Sequence, residues 1–354
     1  MSVTAAQSSS APLLGEFQVR AGLISSLPDL VDLTRFSKIL VITDRNVASR
    51  HLKRLSQAIK TNFKAVEVPC GEKAKDLKVV KRLWHKMVQL KLDRASLVIN
   101  FGGGCVCDVG AFAASTFMRG LEFVNLPTTL LSQVDASIGG KNGINFSKLK
   151  NYIGSFSAPL FVGCDTDLLS TLPRREMACG YAEVIKHALL AGGQDVDLLL
   201  SGALVNPPVA MPELVSHSIE LKRATVCADP FERGQRKLLN LGHTVGHALE
   251  DSNLMHGEAV GLGLLAEGFI ANQLLGLPLD ELETVRRMLR AYELPTRLHR
   301  RVSLKTVINK LRADKKNSSG FIRMALLKRI GQGVHDVEVP LTLIEAAVKS
   351  IFPA

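Results

Sequence analysis

His243 and His247 stand four residues apart in Asn240-Leu-Gly-His-Thr-Val-Gly-His247, and a third histidine opens His256-Gly-Glu-Ala-Val260. Residues four apart share one face of a helix, so the first two point the same way, while His256 rejoins that face only if the chain turns between them. Three imidazoles gathered in this manner suit a metal ion. On spacing alone, the alternative is a hydrogen-bonded pair of core histidines beside an unrelated third. Against it stand the apolar neighbours Leu238, Leu239, Leu241, Val245, Ala248 and Leu249, among which two imidazoles are costly to bury without a strong partner. Upstream, Gly180-Tyr-Ala-Glu-Val-Ile-Lys186 puts Glu183 and Lys186 on one helical face. A carboxylate beside two or three histidines completes a metal site with a position open to substrate. Spacing equally allows a surface ion pair of Glu183 with Lys186, and it leaves His187, four residues from Glu183, as a rival ligand.

A second group of residues suits anionic ligands. Gly102-Gly-Gly104 follows an apolar run and precedes a helical one, so its backbone can approach a pyrophosphate closely while helix N–H groups face it. The triplet is not the usual dinucleotide fingerprint, and it serves equally as a plain strand-to-helix turn. Cys70-Gly-Glu-Lys-Ala-Lys75 and Pro127-Thr-Thr129 add charge and hydroxyls and favour a cofactor. Gly139-Gly-Lys141 and Lys150-Asn151 follow Asp135 in a glycine-rich stretch that is not regular structure throughout. Lysines on such a loop suit a phosphate, the alternative being a basic surface loop.

These residues need elements to position them. Lys38–Thr43 and Ser96–Phe101 read as buried parallel strands, and Glu122–Leu126 as a third. Helices Leu77–Leu90 and Asp108–Phe117 fall between and after them, an order that describes a doubly wound nucleotide-binding domain. Beyond about Pro173 the periodicity turns helical, over Arg174–Ala191, Met211–Cys227, Lys237–Glu250, His256–Leu275, Leu279–Glu293 and Leu304–Ala313. Gly320–Leu327 is the exception and reads as a strand or hairpin. The expected fold is therefore α/β, with an N-terminal Rossmann-like domain over residues 11–172 and an all-α domain over 173–354. Residues 1–10, small and polar, read as a disordered tail.

Composition narrows the class. A chain of 354 residues has room for two cores. Its hydrophobic fraction of 46% contains no unbroken apolar run of a helix span's ~20 residues, and its start lacks the order of a secretory signal, so a cytoplasmic protein is expected. The six cysteines are scattered and read as reduced thiols. The net charge of +11 is spread along the chain without a basic, aromatic-studded stripe, which favours a small anionic substrate over nucleic acid.

A longer series of motifs runs from roughly Lys38 to the end and is dense between Gly102 and Val260. It comprises Gly102-Gly-Gly-Cys-Val-Cys-Asp108, Arg119-Gly120, Pro127-Thr-Thr-Leu-Leu-Ser-Gln-Val-Asp135, Gly139-Gly-Lys141, Lys150-Asn151 and Leu172-Pro-Arg-Arg-Glu176. Ala182-Glu-Val-Ile-Lys186, the two histidine motifs and Asp314-Lys-Lys316 complete it. In this order the segments resemble the 3-dehydroquinate synthases of the shikimate pathway, within the sugar-phosphate cyclase superfamily.

The resemblance implies an active site in the cleft between the two domains, NAD and Zn2+ (or Co2+) as cofactors, a sugar phosphate as substrate, and a homodimer. It makes Glu183, His243 and His256 the metal ligands and moves His247 to the substrate. NAD falls to Asp44, Glu72, Lys75, the turn Gly103, Gly104, Cys105 and Asp108, and to Thr128, Thr129, Lys150 and Thr171. Substrate phosphate falls to Lys141, Asn151, His247 and one of Lys315 and Lys316, taken as Lys316, with Arg119 reaching across a dimer interface. Lys222 and Arg236 form the implied carboxylate clamp, Asp135, Lys186 and Asn240 surround the ring hydroxyls and metal, and Glu232 holds a further active-site position. In the family, 3-deoxy-D-arabino-heptulosonate 7-phosphate is oxidised by NAD+, loses phosphate, is reduced again and closes by an aldol step to 3-dehydroquinate. Cys107 stands where the family pattern has a glycine, so a positive φ there requires the turn to be rebuilt. The connection from His247 to His256 is shorter than usual, and Asn142 and Phe146-Ser-Lys-Leu149 also depart from the pattern. Three rivals share some of these features: a sister cyclase, a metal-dependent polyol or glycerol phosphate dehydrogenase, and a catalytically silent scaffold. Lys222 with Arg236 speaks for a carboxylate-bearing substrate and against the first.

Overall fold

The computed structural model describes residues 14–147, 149–202, 211–250, 253–299, 302–313 and 321–353. The tail expected over residues 1–10, and Lys315 and Lys316, lie outside them. The chain divides into two compact units, one built on Ile24–Leu126 and Ser137–Gly163, the other on Val19–Leu23, Pro127–Ala136 and Cys164–Ala354.

The first unit rests on parallel strands. Six strands, β1 (Glu16–Arg20), β2 (Ile39–Asp44), β3 (Phe63–Val68), β4 (Leu97–Gly102), β5 (Glu122–Pro127) and β8 (Phe161–Asp165), form one sheet in the order β1-β8-β5-β4-β2-β3. β2 runs parallel to both β3 and β4, and β5 to β8. β2 and β4 are buried at every position, as continuous apolar runs covered on both faces require. Helices α1 (Leu27–Leu30), α2 (Arg45–Ile59), α3 (Leu77–Gln89) and α4 (Gly104–Thr116) connect them. Asp44 and Asp76 start α2 and α3 by accepting backbone N–H groups. Leu40, Ile42 and Val98 of the sheet pack with Val80, Leu83, Met87, Val109 and Phe112 of the helices. The chain passes from β3 at the edge to β4 on the other side of β2, so the strand order reverses between β2 and β4, the position where open sheets bind ligands.

One segment differs from the sequence reading. The glycine-rich stretch after Asp135 is an antiparallel hairpin, β6 (Lys141–Phe146) with β7 (Leu149–Phe156), and Lys141 and Lys150 sit on its strands. The cross-strand pair Gly143 and Gly154 lets the two backbones close up.

The second unit is mainly helical, with α5 (Arg174–Ala191), α6 (Gln194–Gly202), α7 (Met211–Ala228), α8 (His243–Leu249), α9 (His256–Leu275), α10 (Leu279–Ala291), α11 (Leu304–Ala313) and α12 (Leu341–Ser350). α5 is buried without a break from Met177 to Leu189, and α9 is buried over most of its length. They pack on each other and form the centre of the unit. The stretch expected as one helix over Lys237–Glu250 is split into a 3-10 turn, Gln235–Asn240, and α8. Gly242, with φ 78°, sits between them, and this left-handed residue ends the first piece although the apolar periodicity runs on. The expected strand near the end is β9 (Phe321–Arg329), paired antiparallel with β10 (Gln332–Pro340). Among the described residues no helix is long and apolar enough to cross a membrane.

Candidate active site

Glu183 lies in the middle of α5, His243 opens α8 and His256 opens α9. Glycine permits this meeting: a Cβ on Gly257 would fall 2.3 Å from the Cys179 carbonyl oxygen, so the start of α9 rests directly on the backbone of α5. The ligand atoms of the three residues lie within 4.8 Å of one another. His243 Nε2 and His256 Nε2 are each 3.3 Å from the same oxygen, Glu183 Oε1. Donors about 2.1 Å from a tetrahedral ion stand about 3.4 Å apart, so the spacing fits one.

The tautomers make the case chemically. His243 Nδ1 faces the Leu241 carbonyl at 3.0 Å and His256 Nδ1 faces Glu250 Oε1 at 2.8 Å. A carbonyl and a carboxylate only accept, so both Nδ1 atoms donate, and in the neutral rings both Nε2 lone pairs face the carboxylate. Lone pairs aimed at an anion repel it unless a cation stands between them. Burial works against a charged His256, yet its hydrogen bonds to Glu183 and Glu250 hold its pKa up to about 9. Burial likewise opposes the Glu183 carboxylate, but Lys186 and His243 outweigh it and keep the group well below its usual range. The residues thus fit a bound divalent ion. Glu250, which spacing did not single out, orients His256; its signal was a carboxylate three residues after His247.

His247 lies beside this cluster, its ring 5.2 Å from that of His243, and its side chain is 59% exposed. His187, the rival ligand, lies with Asp135 and Glu183 in a second close group. Lys186 and Lys222 already sit on those carboxylates, so a metal there faces two ammonium groups. Both ring nitrogens of His187 are buried without a hydrogen-bond partner, and burial, then Lys186, push its pKa down to about 3.

A polar shell continues from the cluster. The Lys186–Glu183 pair is fully interior rather than a surface pair. Lys222 Nζ donates to both the backbone oxygen and Oδ1 of Asp135, each at 2.6 Å. Asp135 stands in a π-helical turn, Ser132–Ala136, a distortion common at functional sites. Burial favours its neutral form, but Lys222 and Lys186 prevail and depress its pKa. Asn240 donates to Glu232 Oε1 at 2.6 Å, and Arg236 Nη1 donates to the Pro230 carbonyl at 2.7 Å. A cavity of about 300 Å³ adjoins, lined by Asn240, His243, Thr244 and His247 together with Lys237 and Arg323, two cations the sequence reading passed over.

In the first unit the residues expected at NAD gather at the carboxyl ends of the strands. Asp44 ends β2, Gly103 caps α4 without a side-chain acceptor, and Cys105 and Asp108 fall in the first turns of α4. Lys75 pairs with Asp108 and Asn151, while Glu72 accepts from Asn145 at 2.7 Å and from the Cys105 thiol at 3.4 Å. Asn151, expected at substrate phosphate, is therefore tied to Lys75. Burial opposes the Glu72 charge, but Asn145, Lys75, Cys105 and Lys150 lower its pKa. Cys107 lies in regular helix, buried, with no positive φ, so the cysteine is accommodated without rebuilding the turn. Arg119 (φ 70°), Asn151 (φ 52°) and Glu232 (φ 59°) occupy the left-handed region, which non-glycine residues enter rarely. Thr128, Thr129 and Thr171 belong to the second unit; Thr129 bonds to Ser132, and Thr171 Oγ1 donates to the Leu168 carbonyl at 3.2 Å.

Comparisons with known proteins give the family and the fold. The family model for the 3-dehydroquinate synthase N-terminal part matches residues 65–179, and that for the C-terminal part matches residues 180–317. A 3-dehydroquinate synthase of Symbiobacterium thermophilum is 38% identical over 89% of this chain and 92% of its own. One of Hydrogenovibrio crunogenus is 36% identical over 87% and 88%. Among solved structures, 2-epi-5-epi-valiolone synthase from Streptomyces hygroscopicus, with NAD+ and Zn2+ bound, superposes with a TM-score of 0.86 at 27% identity, covering 99% of both chains.

Proposed function

Since the chain belongs to the 3-dehydroquinate synthase family, we propose that it is an enzyme converting 3-deoxy-D-arabino-heptulosonate 7-phosphate to 3-dehydroquinate and phosphate. The conversion is a cyclising carbon–oxygen lyase reaction with transient oxidation, elimination of phosphate, reduction and intramolecular aldol closure. The carrying observation is the convergence of His243 Nε2 and His256 Nε2 on one oxygen of buried Glu183, beside Lys186 and the Lys222–Asp135 pair.

In this reading Glu183, His243 and His256 hold a divalent ion, Zn2+ or Co2+, in the part from 173 to 354. In the same reading the part from 11 to 172 holds NAD through Asp44, Glu72, Lys75, Gly103, Gly104, Cys105, Asp108, Thr128, Thr129, Lys150 and Thr171. When bound, NAD accepts and returns a hydride and the metal ion polarises the reacting substrate oxygen. Lys222 and Arg236 take the substrate carboxylate, for which a charged pair among buried neighbours is suited. Lys186, Asp135 and Asn240 orient the hydroxyls, with Glu232 bracing Asn240. Lys141, Asn151, His247 and one of Lys315 and Lys316 offset the charge of the departing phosphate, with Arg119 contributed across a homodimer. The phosphate itself takes up the neighbouring proton, so no residue need serve as the base. A cytoplasmic enzyme fits this chemistry.

The test is incubation with 3-deoxy-D-arabino-heptulosonate 7-phosphate, catalytic NAD+ and zinc. Equal phosphate and dehydroquinate without lasting NADH is the expected result. A folded, metal-loaded protein that releases no phosphate from it overturns the reading.

A further inference from the structure

α8 is only seven residues long, and its N-cap, Gly242, supplies no side chain to its free N–H groups. The acceptors come from elsewhere. Glu267, three turns along α9 from His256 and 1% exposed, accepts from Gly242 N at 2.6 Å through one oxygen and from Val245 N at 3.0 Å through the other. These donors bracket His243. The helices also touch through backbone: a Cβ on Gly263 would fall 1.9 Å from the Gly242 carbonyl oxygen and 2.9 Å from Gly246 N. With no side chain spacing the helices at this point, the two-oxygen grip of Glu267 sets the height and rotation of α8. A buried carboxylate is costly, and an apolar residue would fill the interior of α9 more cheaply.

We propose that Glu267 is a positioning residue for the histidines of α8, holding His243 Nε2 on Glu183 Oε1; the inference rests on the metal reading of Glu183, His243 and His256. It acts through α8 and touches neither metal nor substrate. Glu267→Gln tests it, because the amide group turns an N–H toward one of the two backbone donors. Zinc affinity of the metal-free full chain is measured by chelator competition, alongside thermal unfolding, with Val285→Ala in α10 as a comparably destabilised control. Glu267→Gln is expected to bind zinc about 10- to 100-fold more weakly, in the range for loss of a partner outside the ligand set. Val285→Ala is expected to lower Tm and leave affinity unchanged. Wild-type affinity in Glu267→Gln, or equal weakening in both variants, overturns the proposal while leaving the metal reading intact. A wild-type chain that binds no zinc removes both. If Glu267→Gln does not fold, amide exchange of the metal-free wild type decides. Gly242 and Val245 amides protected like the interior of α9 support the grip, and free exchange there with α9 protected overturns it.

Discussion

Around the glycine turn of the first unit the charged groups already have partners: Lys75 on Asp108 and Asn151, Glu72 on Asn145 and Cys105. Around Glu183 in the second unit, two imidazole nitrogens converge on one carboxylate oxygen, and both rings are locked with the other nitrogen donating. The first region satisfies itself, and a ligand there exchanges one set of hydrogen bonds for another. The second is balanced only by a positive charge between its members, a proton on His256 or a metal ion. A self-satisfied site keeps its shape when empty, whereas a site built on convergent acceptors gains much of its stability from what it binds.

The contrast can be broken most directly at the cluster. Glu183→Ala and His256→Ala are expected to weaken zinc binding at least ~1,000-fold, beyond the loss typical of an outer partner, with turnover lost in parallel. Full activity in a metal-free variant sinks the assignment. Asp135→Asn leaves Lys222 interior without its counter-charge and is expected to cost about 3 kcal/mol in urea unfolding. An unchanged midpoint means that the pair is solvated.

His187 reports on how dry and cationic this interior is. Its pKa is pushed from 6.5 to about 3, so the unfolded chain takes up a proton that the folded one refuses. The contribution is complete above pH 6.5 and is lost as pH falls toward 3. Between pH 7 and 5 it amounts to about 2 kcal/mol. In metal-free protein, His187→Gln should therefore lose about that much less stability than wild type over this range, and identical slopes contradict the burial. In the self-satisfied region effects are smaller. Lys75→Met is expected to weaken NAD about tenfold, near 1.4 kcal/mol, with zinc affinity unaltered, as calorimetry can check. Smallest is Cys105, whose thiol burial, and then Glu72, push up to about 12. It should react with iodoacetamide at pH 8 more slowly than the exposed Cys70 and Cys227, and equal labelling by mass spectrometry counts against the Glu72 contact.

Much of the scaffold was legible in the chain. Arg174–Ala191 and His256–Leu275 form helices over the expected residues, because their periodicity and flanking Gly and Pro agree, and Leu304–Ala313 does so on its periodicity. Lys237–Glu250 misled because Leu238, Leu239, Leu241 and Val245 sustain the pattern while Gly242 breaks the backbone, and conformation at a glycine carries no hydrophobic signature. The hairpin β6–β7 was hidden by its glycines, which weaken a strand pattern yet here permit close pairing. The candidate ligands were visible as residue types; Glu250, Glu267, Lys237 and Arg323 were not, since an acidic or basic residue on a helix or strand is ordinarily a solvated one.

The sequence by itself determined the element types, the supply of donors and acceptors, and the family, because these follow from local periodicity and motif order. Only the tertiary structure decided which atoms face one another: that Lys186 neutralises Glu183 in the interior rather than at the surface, and that His243 and His256 present Nε2 to Glu183. Burial, tautomer and charge state depend on groups brought from distant parts of the chain and on the water they displace, and neither is a property of any short stretch of residues.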